Sequence, residues 1–127
     1  MSFRLSSRSR ARLVGVHPAL IAVVEAAITR TPVDFMITEG LRTAERQAAL
    51  VKAGASRTAR SRHLTGHAVD VAALVEGQVR WDWPLYGRIA EAIKAAARDL
   101  KTPLIWGGDW KTLRDGPHFE LDRKAFP

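Results

Sequence analysis

The sequence predicts a small α+β domain in which about three helices pack around a mostly antiparallel sheet. Three segments carry apolar residues at helical spacing, and about five short segments are rich in the β-branched and aromatic residues typical of strands. Two of those strands flank a Glu-Gly pair, which indicates a hairpin. With 127 residues, the chain is expected to form a single domain over residues 1–127.

Three helices follow from apolar periodicity and from residues that start or stop helices. The first runs from Pro18, which suits the first turn of a helix, to about Arg30. A second extends from about Thr43 to Ala53, where a glycine follows as a plausible stop. The third begins at Asp82 and ends before the "TP" dipeptide. The Ser- and Arg-rich residues before the first helix, 1–12, are expected to form a loosely held basic arm, and "ASRTARSR" a flexible basic loop.

One predicted strand contains a carboxylate that needs an explanation. The expected strands are "DFMITEG", "GHAVDVAALV", "QVRW", "LIW" and "HFELD". The second is apolar on both faces, which is typical of a central strand, and Asp70 lies within it. A buried carboxylate is costly unless it is paired. Its partner is therefore expected to be a metal ion or, alternatively, an arginine.

Composition limits the partners of this chain. Lysine and arginine number 20 against 13 acidic residues, so the net charge of +7 favours polyanions such as nucleic acid, anionic lipid or a bacterial wall. Solubility alone is the alternative explanation of this charge. The sequence has no cysteine, so any transition metal must be bound by His, Asp or Glu. No apolar run is long enough to span a bilayer, and Pro18 and Glu25 interrupt the only stretch that resembles a signal peptide.

The histidines and acids suggest a metal site with an open position. His63, Asp70 and His118 would supply two imidazoles and one carboxylate, the usual make-up of a catalytic zinc site. Asp115 lies three residues before His118, where it could take a proton from a water molecule and pass it to a leaving amine. His67 follows His63 at a helical spacing, but Gly66 argues against a helix there. We therefore expect His67 either to have a structural role or to contact one of the metal-binding side chains without binding the metal itself.

Two motifs resemble those of a known enzyme family. "SRHLTGHAVD" fits the pattern S-x-H-x-x-G-x-A-x-D, and "DGPHFE" fits a later acid-x-x-H pattern. Both are similar to the motifs of the D-alanyl-D-alanine-type zinc peptidases of bacterial cell walls. The segments "EGLRTAERQ", "SRHLTGHAVD", "WGGDW" and "PHFEL" occur in the order expected for the L-alanyl-D-glutamate endopeptidase branch, found among bacteriophage endolysins. The resemblance covers roughly residues 12–122.

The resemblance implies a Hedgehog/D-Ala-D-Ala peptidase-like fold and particular roles for five residues. By analogy, His63, Asp70 and His118 bind one zinc ion per chain, and Asp115 is the catalytic base, at a position where many members have Glu. Arg42, from "EGLRT", faces the scissile carbonyl and stabilises the developing oxyanion. An ordinary surface charge at the end of a strand is the alternative for Arg42.

Further residues have weaker assignments. Ser61 matches the motif serine and is a candidate for substrate binding, with backbone capping as the alternative. Glu120 is a candidate to accept the N–H of a ligand histidine, with a solvated strand end as the alternative. Trp106 and Trp110 are candidates for the wall of a substrate cleft, with core packing as the alternative.

By resemblance the chain is expected to be a bacteriolytic endopeptidase that hydrolyses the L-alanyl-D-glutamate bond of peptidoglycan stem peptides, as a phage or prophage endolysin. Such a protein is expected to be made in the host cytoplasm without a signal peptide, released by a holin, and active at the cell wall or periplasm as a monomer. No specific nucleic-acid partner is expected.

Three other functions remain compatible with parts of the sequence. The nearest is a D-alanyl-D-alanine carboxypeptidase with the same zinc site. A basic nucleic-acid-binding module is allowed by the net charge, but no recognition-helix or stacking motif supports it. A non-catalytic wall-binding protein would not need the intact set of three ligands and Asp115.

Overall fold

Four α-helices and five strands make up the regular structure of the computed structural model, which describes residues 2–56 and 61–127. Residues 57–60 of the predicted basic loop lie outside the described residues. The α-helices are α1 (Ser7–Arg12), α2 (Pro18–Ile28), α3 (Ala44–Lys52) and α4 (Trp83–Asp99). The strands are β1 (Asp34–Glu39), β2 (Ala68–Val75), β3 (Gln78–Arg80), β4 (Leu104–Trp106) and β5 (His118–Leu121), and two 3₁₀ turns cover Arg62–Thr65 and Gly107–Asp109.

The strands form one antiparallel sheet with β2 at its centre. The order is β1-β2-β5-β4, and β3 pairs with β2 as the second arm of the predicted hairpin. This architecture confirms the predicted α+β class. Val69 and Val71 of β2 and Phe119 of β5 lie in the hydrophobic core, where they pack with the buried residues of α2 and α4. The opposite face of β2 and β5 carries the polar residues of the predicted site.

The N-terminal arm is not loosely held, contrary to the expectation from its composition. Residues 7–12 form α1, which lies against β1, and Leu5 is buried. The buried Ser9 hydroxyl accepts the Ile37 N–H at 3.0 Å, and Arg12 donates to the Ile37 carbonyl at 2.9 Å. Because β1 is an edge strand, its outer backbone groups need partners, and these two side chains supply them.

An irregularity in β1 turns one side chain toward the site. Ile37 pairs with Val71, but Glu39 pairs with Asp70. Strand β1 therefore has one extra residue between these two pairs, which is a β-bulge. Without this bulge, Glu39 would share the core face with Ile37, because side chains alternate along a strand. The bulge instead places Glu39 on the same face as Asp70.

Within the described part of the chain, no helix combines the length and apolar character needed to cross a membrane.

Candidate active site

Three neighbouring strands bring carboxylates and a histidine into one row. Asp70 on β2 pairs with His118 at the start of β5 and with Glu39 at the end of β1. The Asp70 side chain is 22% exposed, so it is only partly covered and opens into a cleft rather than lying in the core. The sheet register therefore joins the two sequence motifs, which are 48 residues apart.

His63 reaches the same point from a 3₁₀ turn before β2. The Ser61 hydroxyl caps this turn by accepting the His63 N–H at 3.2 Å. Gly66 ends the turn with a φ of 75°, a conformation that favours glycine. A Cβ at Gly66 would also lie 2.5 Å from the Gly15 carbonyl oxygen, so only glycine lets the chain double back here. The turn leaves His63 buried and directed at Asp70.

The three residues predicted as ligands form one cluster that fits a metal ion. The Asp70 Oδ1 atom lies 3.3 Å from His63 Nε2 and 3.1 Å from His118 Nδ1. The ligand atoms of the three residues lie within 4.8 Å of one another. His63 Nδ1 lies 2.9 Å from the Gly40 carbonyl and donates to it, so Nε2 presents its lone pair to the cluster. His63 Nε2 is buried and has no hydrogen-bond partner among the described residues, so its lone pair is available to a metal ion.

Glu120 supports the cluster from behind, as the sequence suggested. His118 Nε2 donates to Glu120 Oε1 at 2.9 Å, and both side chains are buried. Burial lowers the pKa of His118, but the hydrogen bonds to Asp70 and Glu120 outweigh it and raise that pKa to about 9. Burial likewise raises the pKa of Asp70, yet its hydrogen bond with His118 and its close contact with the His63 ring hold that pKa well below its usual range. The two carboxylates therefore favour a positive charge at this position.

Arg42 lies beside the cluster and is almost completely buried. Its Nε and Nη2 donate to the two oxygens of Glu39, each at 2.7 Å, and Nη1 donates to Gln47 Oε1 at 2.7 Å. Its Nη2 also lies 3.7 Å from Asp70 Oδ2, beyond hydrogen-bond distance. The second N–H of Nη2 therefore faces the cluster without an acceptor among the described residues. These contacts exclude the alternative of an ordinary surface charge.

Glu39 and Gln47 are site residues to which sequence reasoning assigned no role. Glu39 holds Arg42 through two hydrogen bonds, which lower the pKa of the Glu39 carboxyl group. Gln47 is 1% exposed on a helix whose other residues are largely exposed, and its amide nitrogen donates to Ser56 Oγ at 2.9 Å. A polar residue at the buried position of α3 was the available signal for Gln47. For Glu39, no local signal predicts the bulge.

Asp115 lies on the loop before β5 and faces the same cleft. Its backbone N–H donates to the Gly107 carbonyl at 3.0 Å, and a Cβ at Gly107 would lie 2.3 Å from the Asp115 carbonyl oxygen. Glycine in "WGGDW" thus permits the close approach of the two loops. Burial raises the pKa of Asp115, and the negative charge of Asp70 raises it further. Its carboxylate accepts no hydrogen bond from the described residues and remains available to a substrate or water.

The tryptophans divide between the cleft and the core. Trp110 lines the cleft, and its ring lies 5.2 Å from the ring of His118. Trp106, predicted to bind substrate, is instead buried in the core against Phe119. Its Nε1 donates to the Gly116 carbonyl at 2.7 Å, so it supports the turn that carries Asp115. The assignment of Trp106 to substrate binding was wrong because a ring on β4 that packs on Phe119 faces the core.

His67 does not contact the cluster, and Ser61 supports it only through the backbone and Arg42. The His67 ring packs 5.5 Å from the ring of His17, and its Nδ1 lies 2.6 Å from Thr65 Oγ1. Of the two roles considered for His67, the structural one is therefore observed. The Ser61 hydroxyl caps the turn before His63 and lies 3.5 Å from Arg42 Nη1.

The cluster lies in an open cleft of about 960 Å³. Arg42, Asp115 and Trp110 line it together with the C-terminal end of α3 and residues 122–124 after β5. A cleft of this size can accept several residues of an extended peptide. A His-Asp-His cluster, a free carboxylate and a buried arginine in one cleft are the parts expected of a metal-dependent hydrolase.

Comparison with known proteins defines the class more closely. A family model described as phage L-alanyl-D-glutamate peptidase matches residues 1–126. The chain therefore belongs to the family of phage L-alanyl-D-glutamate peptidases. It is 32% identical over 130 residues to the L-alanyl-D-glutamate peptidase of Escherichia phage T5, an alignment that covers 99% of this chain and 94% of that protein.

Solved structures agree with this assignment. The L-Ala D-Glu endopeptidase ChiX of Serratia marcescens matches with a TM-score of 0.94 and 49% identity, over 99% of this chain and 95% of that one. The D,D-dipeptidase VanXYg, at 21% identity and a TM-score of 0.50 over 81% of this chain and 47% of that one, shares the fold. The predicted peptidase family and its fold are thus confirmed.

Proposed function

We propose that this chain is a zinc endopeptidase that hydrolyses the L-alanyl-D-glutamate bond of peptidoglycan stem peptides. The observation that carries the proposal is the buried Nε2 of His63, which has no hydrogen-bond partner among the described residues and points at Asp70 in the cleft. His63, Asp70 and His118 would hold one zinc ion, because two imidazoles and a carboxylate suit zinc and leave a coordination position open. Zinc bound there would supply Lewis-acid activation of the scissile carbonyl and of water.

The chain's own groups account for the proton transfers. Asp115 accepts no hydrogen bond from the described residues and has a raised pKa, so its carboxylate can take a proton from the attacking water near neutral pH. The same carboxyl group then donates that proton to the nitrogen of D-glutamate as the peptide C–N bond breaks. The products are a free carboxylate on L-alanine and a new amine on D-glutamate.

Arg42 is positioned to stabilise the negative charge that develops on the carbonyl oxygen. Glu39, Gln47 and Ser61 contact its other donors, so a single N–H of Nη2 is directed at the cluster. Because the guanidinium is held before substrate binds, little reorganisation is needed when charge develops. Trp110, beside His118, forms one wall for the substrate.

Digestion of purified sacculi tests the bond that is cleaved. Wild-type protein loaded with zinc should clear a sacculus suspension and expose a new D-glutamate amine, detected by amine labelling and mass spectrometry. Chelation with EDTA should stop both effects, and added zinc should restore them. Release of free D-alanine without loss of turbidity would instead identify a D-alanyl-D-alanine carboxypeptidase.

The location of the activity is part of the same proposal. We propose that the chain is made in the host cytoplasm, reaches the wall with the help of a holin, and acts there as a monomeric single domain. The positive net charge supports attraction to an anionic wall. Expression in a bacterial host without a holin should leave cells intact until the membrane is permeabilised, whereas lysis on expression alone would contradict holin dependence. Light scattering on the purified protein measures its oligomeric state.

A further inference from the structure

The proposed substrate carries a charge next to the bond that breaks, and the following inference rests on the proposed function. Glutamate has two carboxyl groups, and only one of them continues the stem peptide. The other is a free carboxylate on the residue whose amine leaves. Because that carboxylate is only a few bonds from the leaving nitrogen, it must lie near the group that protonates this nitrogen, Asp115. Two carboxylates so close repel each other unless a cation lies between or beside them.

Five cationic side chains line the cleft in the described part of the chain, and most of them have other partners. Arg42 is occupied by Glu39 and Gln47. Arg62 donates to the backbone carbonyls of residues 121 and 126, and the exposed side chain of Arg123 lies 3.9 Å from Glu120. The five are Arg42, Arg62, Arg114, Arg123 and Lys124.

Arg114 differs from the others because it is held in place with its terminal nitrogens free. Its Nε donates to the Gly108 carbonyl at 3.0 Å, and its guanidinium carbon lies 4.5 Å from the centre of the Trp83 ring. The two Nη groups have no hydrogen-bond partner among residues 2–56 and 61–127. Arg114 also directly precedes Asp115. A guanidinium that is fixed by its Nε and by ring stacking can offer both Nη groups to a carboxylate with little further loss of entropy.

We propose that Arg114 binds the free carboxylate of the D-glutamate residue and thereby selects glutamate on the leaving side of the scissile bond. The pairing has two consequences. It offsets the repulsion between the substrate carboxylate and Asp115, and it fixes the leaving amine near the Asp115 carboxyl group. A neutral residue in place of glutamate would leave Arg114 without its partner in the cleft, so the enzyme would discriminate against it.

Exchange of charge on both enzyme and substrate tests this pairing. Wild type and Arg114→Gln are compared on two stem peptides, one with the free carboxylate of D-glutamate and one in which that group is amidated. Wild type should favour the carboxylate by about 10- to 100-fold in kcat/KM, the range expected for a charge-assisted hydrogen bond. In Arg114→Gln this preference should fall toward one, mainly through a higher KM for the carboxylate peptide. Arg114→Lys should retain part of it.

Lys124→Gln is the matched control, because it removes an exposed cation from the same cleft and should keep the wild-type preference. A variant that merely disturbed the Asp115 loop would lower the rates on both peptides equally, so an unchanged ratio in Arg114→Gln overturns the inference. A ratio that collapses in Lys124→Gln but not in Arg114→Gln also overturns it. If wild type cleaves neither peptide, the proposed function itself fails and this inference with it.

Discussion

Two pairs of histidine rings are in contact in this molecule, and they differ in what lies between them. The rings of His63 and His118 are 5.1 Å apart, and Asp70 Oδ1 lies within 3.3 Å of a nitrogen of each. The rings of His17 and His67 are 5.5 Å apart, but their Nδ1 atoms contact the Ala19 N–H and the Thr65 hydroxyl. The first pair forms a candidate metal site, whereas the second joins α2 to the turn before β2.

One histidine of each pair has a shifted pKa, and the two shifts are in opposite directions. The pKa of His118 is raised to about 9 because Asp70 and Glu120 outweigh its burial. The pKa of His67 is lowered by burial and by the positive charges of Arg62 and His17. Two histidines in contact therefore do not define a metal site. A carboxylate between the rings, and a second one behind, create the environment that holds a cation.

Removal of a histidine from each pair should produce the largest difference. His63→Ala or His118→Ala should abolish peptidase activity and most zinc binding, because two ligands rarely hold zinc tightly. His67→Ala should retain both, since its ring has no contact with the cluster. Zinc content by mass spectrometry and sacculus clearing measure the two effects. Full zinc occupancy in His118→Ala would refute the ligand assignment.

Asp115→Asn tests the group that acts beside the first pair without binding metal. The amide keeps the shape of the side chain but cannot accept a proton. We expect normal zinc content and a loss of about 10²–10⁴ in turnover. Asp109→Asn, an exposed acid of the same loop region paired with Lys94, should remain near wild type. Loss of zinc from Asp115→Asn would make Asp115 a ligand rather than a base.

Arg42→Ala should lower kcat by about 10²–10³, the usual cost of losing an oxyanion donor. Arg42→Lys should recover only part of this loss, because a single ammonium cannot bond Glu39 in two places and also face the cluster. Arg46, an exposed arginine 3.7 Å from the same Glu39, gives the control Arg46→Gln with little effect expected. Single-turnover kinetics with saturating enzyme separate the chemical step from binding. A wild-type rate in Arg42→Ala would exclude the role.

Glu120→Gln should weaken zinc binding by about 10- to 100-fold, because contacts behind a ligand histidine usually contribute that much. The variant retains a hydrogen-bond acceptor for His118 but removes its charge. Competition with a chromophoric chelator measures the affinity. Glu91→Gln, on the exposed side of α4, should keep wild-type affinity. Equal affinities in the two variants would leave Glu120 with a packing role only.

The smallest expected effect is on the pH dependence of stability, which should differ between the two histidine pairs when the protein is measured without metal. The raised pKa of His118 means that its contribution to stability is full below about pH 6.5 and is lost as pH rises through about 9. The lowered pKa of His67 has the opposite sign, so its contribution is present above about pH 6.5 and is lost on acidification. The free energy of unfolding, measured in urea across this pH range, should no longer fall toward high pH in His118→Ala. In His67→Ala it should no longer fall toward low pH. Parallel pH profiles for the two variants would contradict the assigned shifts.

Local sequence predicted most of the framework. The apolar spacing of α2 and α4, the Glu-Gly hairpin and the two-faced apolar pattern of β2 all appear in the structure with bounds within a few residues. These features were predictable because each depends on neighbours along the chain. Helix α1 was missed because its short, Ser- and Arg-rich sequence has no apolar stripe. Its contacts with the edge strand, through Ser9 and Arg12, are made across the fold.

The site shows the same division. The sequence by itself determined which residue types were available: two motifs with His63, Asp70, Asp115 and His118, and no cysteine to compete with them. Only the tertiary structure decided which groups meet. The β1 bulge places Glu39 beside Arg42. Trp106 packs on Phe119 in the core and not in the cleft, and His67 packs on the ring of His17 and not on the cluster. Strand register and core packing join residues far apart in sequence, so local spacing does not determine them.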